Sequence, residues 1–328
     1  MKAAWYEQQG PAREVLTVGE MPDPVPGPGE LRIRVAVSGI NPGDIKKRRD
    51  DFGCGMAYPR VIPHSDGAGV VDRVGENVSA DWVANRVWCF GAQSYRPFGT
   101  AAEYVVVPVQ QVLMLPEGVP MEQGACLGIP GITGHRAVRV AGQVASRTVL
   151  VRGAAGAVGL CAVHMAHRQR AFVIATVRSA KDEAAVRAAG ADEVLLGDDN
   201  LAEKLRTLAP EGVNHIVEVA FGANVAEDIE VLAPGGSIAA YATDDPVPAI
   251  PFWPLAFRNV SLFFLGSDDF RLYEKISAAR DLNAALVAGW QGFGIAARLP
   301  LERIAEAHEL VECQERPGRV VLTLNEAM

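Results

Sequence analysis

The sequence predicts an α/β protein with a β-rich first third and, after it, a doubly wound domain built on a parallel sheet. The first third is rich in glycine and proline and carries short alternating apolar runs, with little helical pattern before Met121. From Met121 onward, strand-like runs alternate with helical patterns, as in parallel sheets covered by helices on both faces. At 328 residues, the chain is long enough for about two domains.

Four segments of the first third have the composition of strands. Leu31–Ser38 alternates most regularly, and turn residues separate it from the others. The four predicted strands are Leu31–Ser38, Gly69–Val74, Arg86–Phe90 and Ala102–Val107. The basic run Lys46–Arg49, flanked by aspartates, predicts one exposed helical turn with charge pairs.

The second part predicts six strands, the number that completes a doubly wound sheet. These strands are Thr148–Val151, Phe172–Val177, Glu193–Leu196, His215–Ala220, Ser237–Tyr241 and Val260–Leu265, and the helices between them are Ala157–Arg168, Lys181–Ala189, Leu201–Leu208 and Asn224–Leu232. The tail predicts helices near Arg271–Ala288 and Leu301–Glu312 and a strand at Arg319–Leu324. Because the tail cannot extend the parallel sheet in the usual order, we expect it to pack on the first third.

The segment between Thr148 and Val177 indicates a dinucleotide-binding loop. Three glycines follow a short β-branched strand and open a helix, which is the spacing and the context of the dinucleotide fingerprint. Glycine allows a tight turn and a close approach of the backbone to a pyrophosphate, and the helix N-terminus supplies free N–H groups. The predicted contacts of this loop are Gly153, Ala155, Gly156, Ala157 and Val158.

The end of the second of these strands favours NADPH over NADH. An NADH site usually carries an acidic residue there, which accepts from the ribose 2′-hydroxyl. Residues 171–181 contain no acid, and the strand runs into Arg178, Ser179 and Lys181. Fixed positive charge and a hydroxyl suit a 2′-phosphate. The alternative interpretation of these residues is an ordinary solvated loop.

Charge and composition exclude several classes of function. The formal net charge of −8 and the lack of long basic blocks argue against a nucleic-acid surface. We expect no signal peptide and no membrane helix, because no apolar run has the required position or length. The five cysteines are scattered without a CxxC pair, which suits a reducing cytoplasm.

Further motifs run through the chain nearly from end to end. They are SGINPGD at Ser38–Asp44, PRVIPHSDGAGVV at Pro59–Val71, GTAAEYVVVP at Gly99–Pro108, GIPGITGHRA at Gly128–Ala137, VRGAAGAVG at Val151–Gly159, and AEAHEL with PGRVVL near the end. Through them the chain resembles the medium-chain dehydrogenase/reductase superfamily, specifically its quinone oxidoreductase (zeta-crystallin-like) branch.

The resemblance implies an architecture. It implies a GroES-like β-rich catalytic domain over residues 1–120, a doubly wound Rossmann domain with a parallel six-stranded sheet over 121–267, and a return to the catalytic domain over 268–328. It also implies a cleft that holds nicotinamide, and a homodimer joined through the last Rossmann strand.

The resemblance also bears on zinc. Alcohol dehydrogenases of this superfamily carry a Cys ligand where this chain has Asn41 and a His–Glu pair where it has Ser65–Asp66. A catalytic zinc needs three protein ligands, and neither Asn41 nor Ser65 is a credible donor. We therefore predict no metal. Hydride transfer to an electron-poor quinone or a conjugated enone needs less help from a Lewis acid than alcohol oxidation does, because the acceptor delocalises the incoming charge.

By resemblance, Asn41 faces nicotinamide and substrate, and its amide donates to a carbonyl oxygen as charge builds there. As bare sequence, Asn41 is equally a loop cap before Pro42. Asp44 is predicted to orient Asn41 or a water, or else to pair with Arg48. His64 is predicted to hand over a proton, or else to be structural. Candidates for the substrate pocket, each equally assignable to core or rim, are Tyr58, Gln93 and Phe98.

The remaining cofactor contacts are expected in two places. Loops at the carboxyl ends of strands or at the cleft include Thr133, Ala220, Tyr241, Ala242 and Thr243. By resemblance, Phe264, Leu265 and Gly266 hold the carboxamide, and Arg316 or Arg319 replaces an arginine common near the C-terminal glycine. The family's aromatic residue against adenine is replaced here by Gly197.

These observations together predict a zinc-free NADPH:quinone reductase. One alternative is an NADPH-dependent reductase of α,β-unsaturated carbonyls, since the two branches share nearly all these motifs. Another is an NADPH-binding structural or regulatory protein with little turnover, because fold alone does not establish catalysis.

Overall fold

The computed structural model describes residues 1–197, 200–313 and 318–324. The chain forms two compact units, one made of Met1–Ile132 together with the residues from Arg271 onward, the other of Thr133–Phe270. We expected the divisions after residues 120 and 267. The two units divide after Ile132 and after Phe270. Met121–Ile132 packs on the first unit: Ile129 N–H donates to Asp66 Oδ2 at 2.8 Å, and a Cβ on Gly124 would lie 2.9 Å from that of Ala68.

The chain contains strands β1–β15 and helices α1–α11 within the described residues. The strands are β1 Lys2–Trp5, β2 Thr17–Glu20, β3 Glu30–Gly39, β4 Asp66–Val74, β5 Arg86–Cys89, β6 Tyr104–Pro108, β7 Val112–Met114, β8 Thr148–Val151, β9 Phe172–Val177, β10 Glu193–Leu196, β11 Val213–Glu218, β12 Leu232–Ala240, β13 Ser261–Phe264, β14 Ile295–Pro300 and β15 Arg319–Thr323. The helices are α1 Ala12–Val15, α2 Pro42–Arg49, α3 Met121–Gly124, α4 Ile132–Arg139, α5 Ala157–Arg168, α6 Glu183–Ala188, α7 Leu201–Leu208, α8 Phe221–Val231, α9 Phe252–Phe257, α10 Leu272–Val287 and α11 Ile304–Cys313.

The first unit is built on a seven-stranded sheet with the order β14-β15-β3-β4-β5-β7 and with β6 also on β3. The C-terminal strand β15 pairs antiparallel with β3, so that Val321 lies opposite Gly39. The tail therefore returns to the first third, as predicted. This pairing brings Arg319 beside the end of β3, where the chain turns into α2.

The second unit confirms the predicted parallel six-stranded sheet, in the order β10-β9-β8-β11-β12-β13. Its central strands bury continuous apolar runs because helices cover both faces of such a sheet. Leu150, Ile174, Ile216 and Ile238 are fully buried in this core. All six strands run parallel, so the loops that follow them lie at one edge of the sheet.

The prediction of one exposed turn at Lys46–Arg49 was wrong. Helix α2 spans Pro42–Arg49, and Arg48 is fully buried. Its guanidinium tolerates burial because it donates to the Gly10 carbonyl and to the Glu312 carboxylate. Sequence patterns also missed several elements, most of them short: β1, β2, β7, β14, α1, α3, α4 and α9.

Candidate functional site

The glycine loop between β8 and α5 fits a pyrophosphate. Gly153 has a φ of +60°, a backbone conformation that favours glycine. A Cβ on Gly159 would lie 2.6 Å from the Gly153 carbonyl oxygen, so the helix packs closely on the loop. Gly156 is the N-cap of α5, which has no side-chain cap and no acidic residue in its first turn. Its first N–H groups are therefore suited to an anion. Ala155, Ala157 and Val158, partly buried beside them, belong to the same turn.

The end of β9 carries two free cations. Arg178 and Lys181 are exposed, and neither side chain has a hydrogen bond or an ion pair within the described residues. Ser179 between them is partly buried and precedes the 3-10 turn Ala180–Asp182. The first acid after the strand, Asp182, lies beyond this set. This charge distribution suits a phosphate on the ribose more than a free 2′-hydroxyl.

The loops after β11 and β12 are tied to each other. Phe221 N–H donates to the Ala242 carbonyl at 3.2 Å, and Gly222 N–H donates to Thr243 Oγ1 at 3.2 Å. Tyr241 N–H donates to the Glu218 carbonyl at 3.1 Å, and Ala220 N–H donates to the Glu218 carboxylate. The structure therefore brings four predicted cofactor contacts together at the carboxyl edge of the sheet.

The other predicted cofactor contacts lie outside this pair of hydrogen-bonded loops. Phe264 is exposed and meets Phe221 edge-on with ring centroids 5.3 Å apart. Leu265 N–H donates to the Ala240 carbonyl at 2.9 Å, and Gly266 is exposed beyond it. Thr133 is buried in α4. Arg316 lies outside the described residues.

Sequence reasoning missed a buried ion cluster next to the glycine loop. Arg152 donates to Asp228 Oδ1 at 2.7 and 2.9 Å and to Glu227 Oε2 at 2.7 Å. The Glu218 carboxylate is 3.8 Å from Arg152 Nε. Burial raises the pKa of Asp228, while Arg152 opposes that rise. The cluster anchors the residue before Gly153 to α8, and the only signal in the sequence was an arginine at the end of a buried strand.

Asn41 begins α2 and is buried with its polar groups engaged. Its backbone N–H donates to Asp44 Oδ2 at 2.8 Å, and its side-chain Nδ2 donates to Asp66 Oδ2 at 2.8 Å. Its Oδ1 accepts from Arg319 Nη2 at 2.6 Å. Asp44 thus holds Asn41 through the backbone, while Arg48, the alternative partner of Asp44, binds Glu312 instead. Arg319, one of the two candidate arginines, lies at Asn41.

Asp66 is the one residue of this group to which the sequence motifs assigned no role. It lies at the start of β4, is fully buried, and accepts from Ile129 N–H as well as from Asn41. Burial raises the pKa of Asp66 to about 7, against the hydrogen bonds from Ile129 and Asn41, which lower it. The available signal was the family resemblance, which sets Ser65–Asp66 where the alcohol dehydrogenases have a His–Glu pair.

His64 belongs to a buried hydrogen-bonded chain. Its Nε2 lies 2.9 Å from His308 Nε2, and its Nδ1 lies 2.8 Å from Ser38 Oγ. Arg48 Nε donates to His308 Nδ1 at 3.3 Å, so the proton of His308 is on Nε2 and points to His64. His64 Nε2 accepts that proton, and His64 Nδ1–H therefore donates to Ser38.

The other hydrogen bonds in this series, made by Ser38 and Thr100, agree with these tautomers. Thr100 Oγ1 donates to the Asp66 carbonyl at 2.7 Å and therefore accepts from Ser38 Oγ, also at 2.7 Å. Burial lowers the pKa of His64 to about 3. Both ring nitrogens are engaged and the ring is neutral at pH 7. The geometry therefore favours the structural role of His64 over that of a proton donor.

The candidate substrate residues have separate surroundings. Tyr58 OH donates to the Tyr95 carbonyl at 2.5 Å. Gln93 is buried, accepting from Lys47 Nζ and donating to the Arg96 carbonyl, both at 3.1 Å. Phe98 is exposed. Only Phe98 presents an apolar surface, while Tyr58 and Gln93 hold their loops.

No three His, Cys, Asp or Glu side chains in the described part of the chain are grouped to hold a metal ion. No described helix has the length and hydropathy needed to cross a membrane.

Comparison with known proteins identifies the family. The family described as "Alcohol dehydrogenase GroES-like domain" matches residues 27–117, and "Zinc-binding dehydrogenase" matches residues 157–279. Human quinone oxidoreductase is 30% identical over 328 residues, covering 97% of this chain and 96% of that protein. The chain belongs to the quinone oxidoreductases of the medium-chain dehydrogenase/reductase superfamily. Membership confirms the predicted superfamily and its GroES-like and Rossmann folds. It also confirms the prediction that the chain is an oxidoreductase.

Solved structures of this superfamily extend the comparison. A mycobacterial protein in complex with NADPH is 27% identical, with a TM-score of 0.86, over 98% of this chain and 100% of that one. An NAD-dependent alcohol dehydrogenase is 26% identical, with a TM-score of 0.87, over 99% of this chain and 100% of that one. The similarity supports a nicotinamide cofactor.

Proposed function

We propose that this quinone oxidoreductase transfers hydride from NADPH to a quinone and works without zinc. The observation that carries the proposal is the buried amide of Asn41, which by the family resemblance stands where the alcohol dehydrogenases place a zinc-binding cysteine. Its amide is held between a carboxyl group and a guanidinium group. The human relative's name, quinone oxidoreductase, agrees with this assignment.

NADPH supplies a hydride when bound, and an electron-poor quinone accepts it without a metal. The chain's own residues do the rest. The glycine loop and the first turn of α5 bind the pyrophosphate, and Arg178 and Lys181 bind the 2′-phosphate. Asn41 Nδ2 carries two hydrogens and gives one to Asp66, so the other is available to an acceptor oxygen.

Coenzyme choice is tested with Arg178→Ala. A charge-assisted hydrogen bond contributes about 1.5–3 kcal/mol, so its loss raises the KM for NADPH about tenfold or more. The KM for NADH should change less than twofold. Arg168→Ala, which removes an exposed arginine from the far end of α5, is the matched control and should change neither constant. Equal effects of Arg178→Ala on both coenzymes would overturn the choice of NADPH.

The reaction is tested by steady-state rates with NADPH and a panel of quinones and enones. The proposal requires faster turnover of quinones in a preparation shown to be metal-free by elemental analysis. Faster reduction of α,β-unsaturated carbonyls would transfer the assignment to that class. Absence of turnover with every acceptor would support the alternative of an NADPH-binding structural or regulatory protein. Stoichiometric bound zinc would refute the metal-free mechanism.

We also propose a homodimer formed through β13. This strand is the last of the six-stranded sheet, and its pairing among the described residues is with β12. A free strand edge next to exposed aromatic side chains is a typical association surface. Phe257 is 79% exposed and stacks on Trp253, with ring centroids 5.5 Å apart.

The dimer is tested by sedimentation velocity. Phe257→Glu should give a monomer, whereas Val287→Glu, at a residue of α10 that is 74% exposed, should remain dimeric. A monomeric wild-type protein at micromolar concentration would disprove this assembly. The reducing cytoplasm remains the proposed location, since all five cysteines are free thiols.

A further inference from the structure

The two carboxylate oxygens of Asp66 have different surroundings. Oδ2 accepts from Ile129 N–H and from Asn41 Nδ2, both at 2.8 Å. Oδ1 is equally buried and has no hydrogen-bond partner within the described residues. A fully buried carboxyl oxygen without a partner costs more free energy when the group is ionised than when it is neutral, because burial of a charge costs more than burial of a neutral polar group.

The position of this carboxyl group is fixed by close packing. A Cβ built on Gly128 would lie 1.9 Å from Asp66 Oδ1, so the backbone of residue 128 lies directly against that oxygen. Gly39, the strand partner of Asp66, also allows no side chain, because its Cβ would lie 1.9 Å from the Ala125 carbonyl oxygen. The carboxyl group therefore has little freedom to move away from Asn41.

The amide of Asn41 has one allowed orientation. Arg319 donates to its Oδ1 at 2.6 Å, and Asp66 accepts from its Nδ2 at 2.8 Å. Flipping the amide would place its NH₂ group against a guanidinium and its oxygen against a carboxylate, and both contacts are repulsive. Asp66 and Arg319 thus determine where the second Nδ2 hydrogen points.

We propose that Asp66 is the positioning residue of the reacting centre, holding the Asn41 amide more firmly when its carboxyl group is ionised than when it is protonated. This inference rests on the proposed function, in which Asn41 donates to the acceptor. A hydrogen bond to a carboxylate is about twice as strong as one to a neutral acid. Oδ2 already accepts two hydrogen bonds, so the proton of the neutral acid belongs on Oδ1.

The surroundings of Asp66 place its titration within the working range of an enzyme. Its pKa is raised to about 7, mainly by burial, with the Asp44 carboxylate raising it further and the Arg319 guanidinium lowering it. Burial also raises the pKa of the two nearby thiols, which are neutral at this pH. The charged or titratable groups facing Asp66 are Asp44 of α2, Arg319 of β15, Cys89 of β5 and Cys126 after α3.

The test compares Asp66→Asn with Asp72→Asn, which makes the same change on the same strand at a residue that pairs with Arg32 near the surface. In the wild type, kcat for quinone should rise about tenfold as pH increases through 7. Asp66→Asn imitates the neutral acid, so its kcat should stay near the wild-type acid limit at every pH. Asp72→Asn should keep the wild-type profile. An unchanged inflection in Asp66→Asn would overturn the proposal.

A second measurement does not depend on turnover. The side-chain ¹⁵Nδ2 resonance of Asn41 should shift with pH around 7 in the wild type and in Asp72→Asn, and should not shift in Asp66→Asn. A flat Asn41 resonance in the wild type would refute this inference even if quinones are reduced. A titrating resonance in a protein that reduces no acceptor would support the coupling of Asp66 to Asn41 and refute the proposed function instead.

Discussion

Acid should destabilise the first unit through His64. Its pKa is about 3 in the folded protein against 6.5 ordinarily, because the ring is buried between His308 and Ser38. Below pH 6.5 the unfolded chain binds a proton that the folded protein does not, so stability falls as the pH decreases. One such group accounts for a loss of about 2 kcal/mol between pH 7 and pH 5.

The assay is urea unfolding at pH 7, 6 and 5 for the wild type and His64→Asn. Asn tolerates the left-handed conformation of residue 64, whose φ is +76°, so the backbone is kept. His308, whose pKa burial also lowers, remains in both proteins and contributes to both curves. His64→Asn should therefore lose about 2 kcal/mol less than the wild type over this interval.

The control is His167→Asn, which removes an exposed histidine and should follow the wild-type curve. The comparison uses the change with pH, so a lower stability of His64→Asn at pH 7 does not affect the result. Parallel curves for the wild type and His64→Asn would refute the assignment of His64 as a buried neutral histidine.

Three further substitutions test the packing. Gly128→Ala should lower stability by about 1–3 kcal/mol in urea unfolding and reduce kcat, since its Cβ would lie 1.9 Å from Asp66 Oδ1. Arg152→Met should cost about 3–5 kcal/mol at pH 7, because it leaves the buried Asp228 carboxylate without its counter-charge; an unaltered unfolding midpoint would contradict that. Gly159→Ala should weaken NADPH binding at least tenfold by calorimetry, because its Cβ would push the helix away from the loop, and unchanged affinity would show that the loop has room to adjust.

Local patterns in the sequence determined the nucleotide-binding part of this protein. The predicted bounds of β8, α5 and β9 agree with the structure at every end. Strand alternation, helix periodicity and glycine spacing are properties of neighbouring residues, and a short segment expresses them without the rest of the chain. The motifs likewise predicted the superfamily, and with it the return of the C-terminal strand to the first unit.

Only the tertiary structure decided the hydrogen-bond partners and protonation states of the polar groups in the first unit. Arg319 meets Asn41 across 278 positions of sequence, and His308 meets His64 across 244. Burial and hydrogen-bond partners set protonation, and both depend on which distant strands the fold brings together. Asp66 and Arg48 are both visible in the sequence, but their properties depend on the fold. The pKa of Asp66 is about 7 and the guanidinium of Arg48 is fully buried only because the folded chain packs around them.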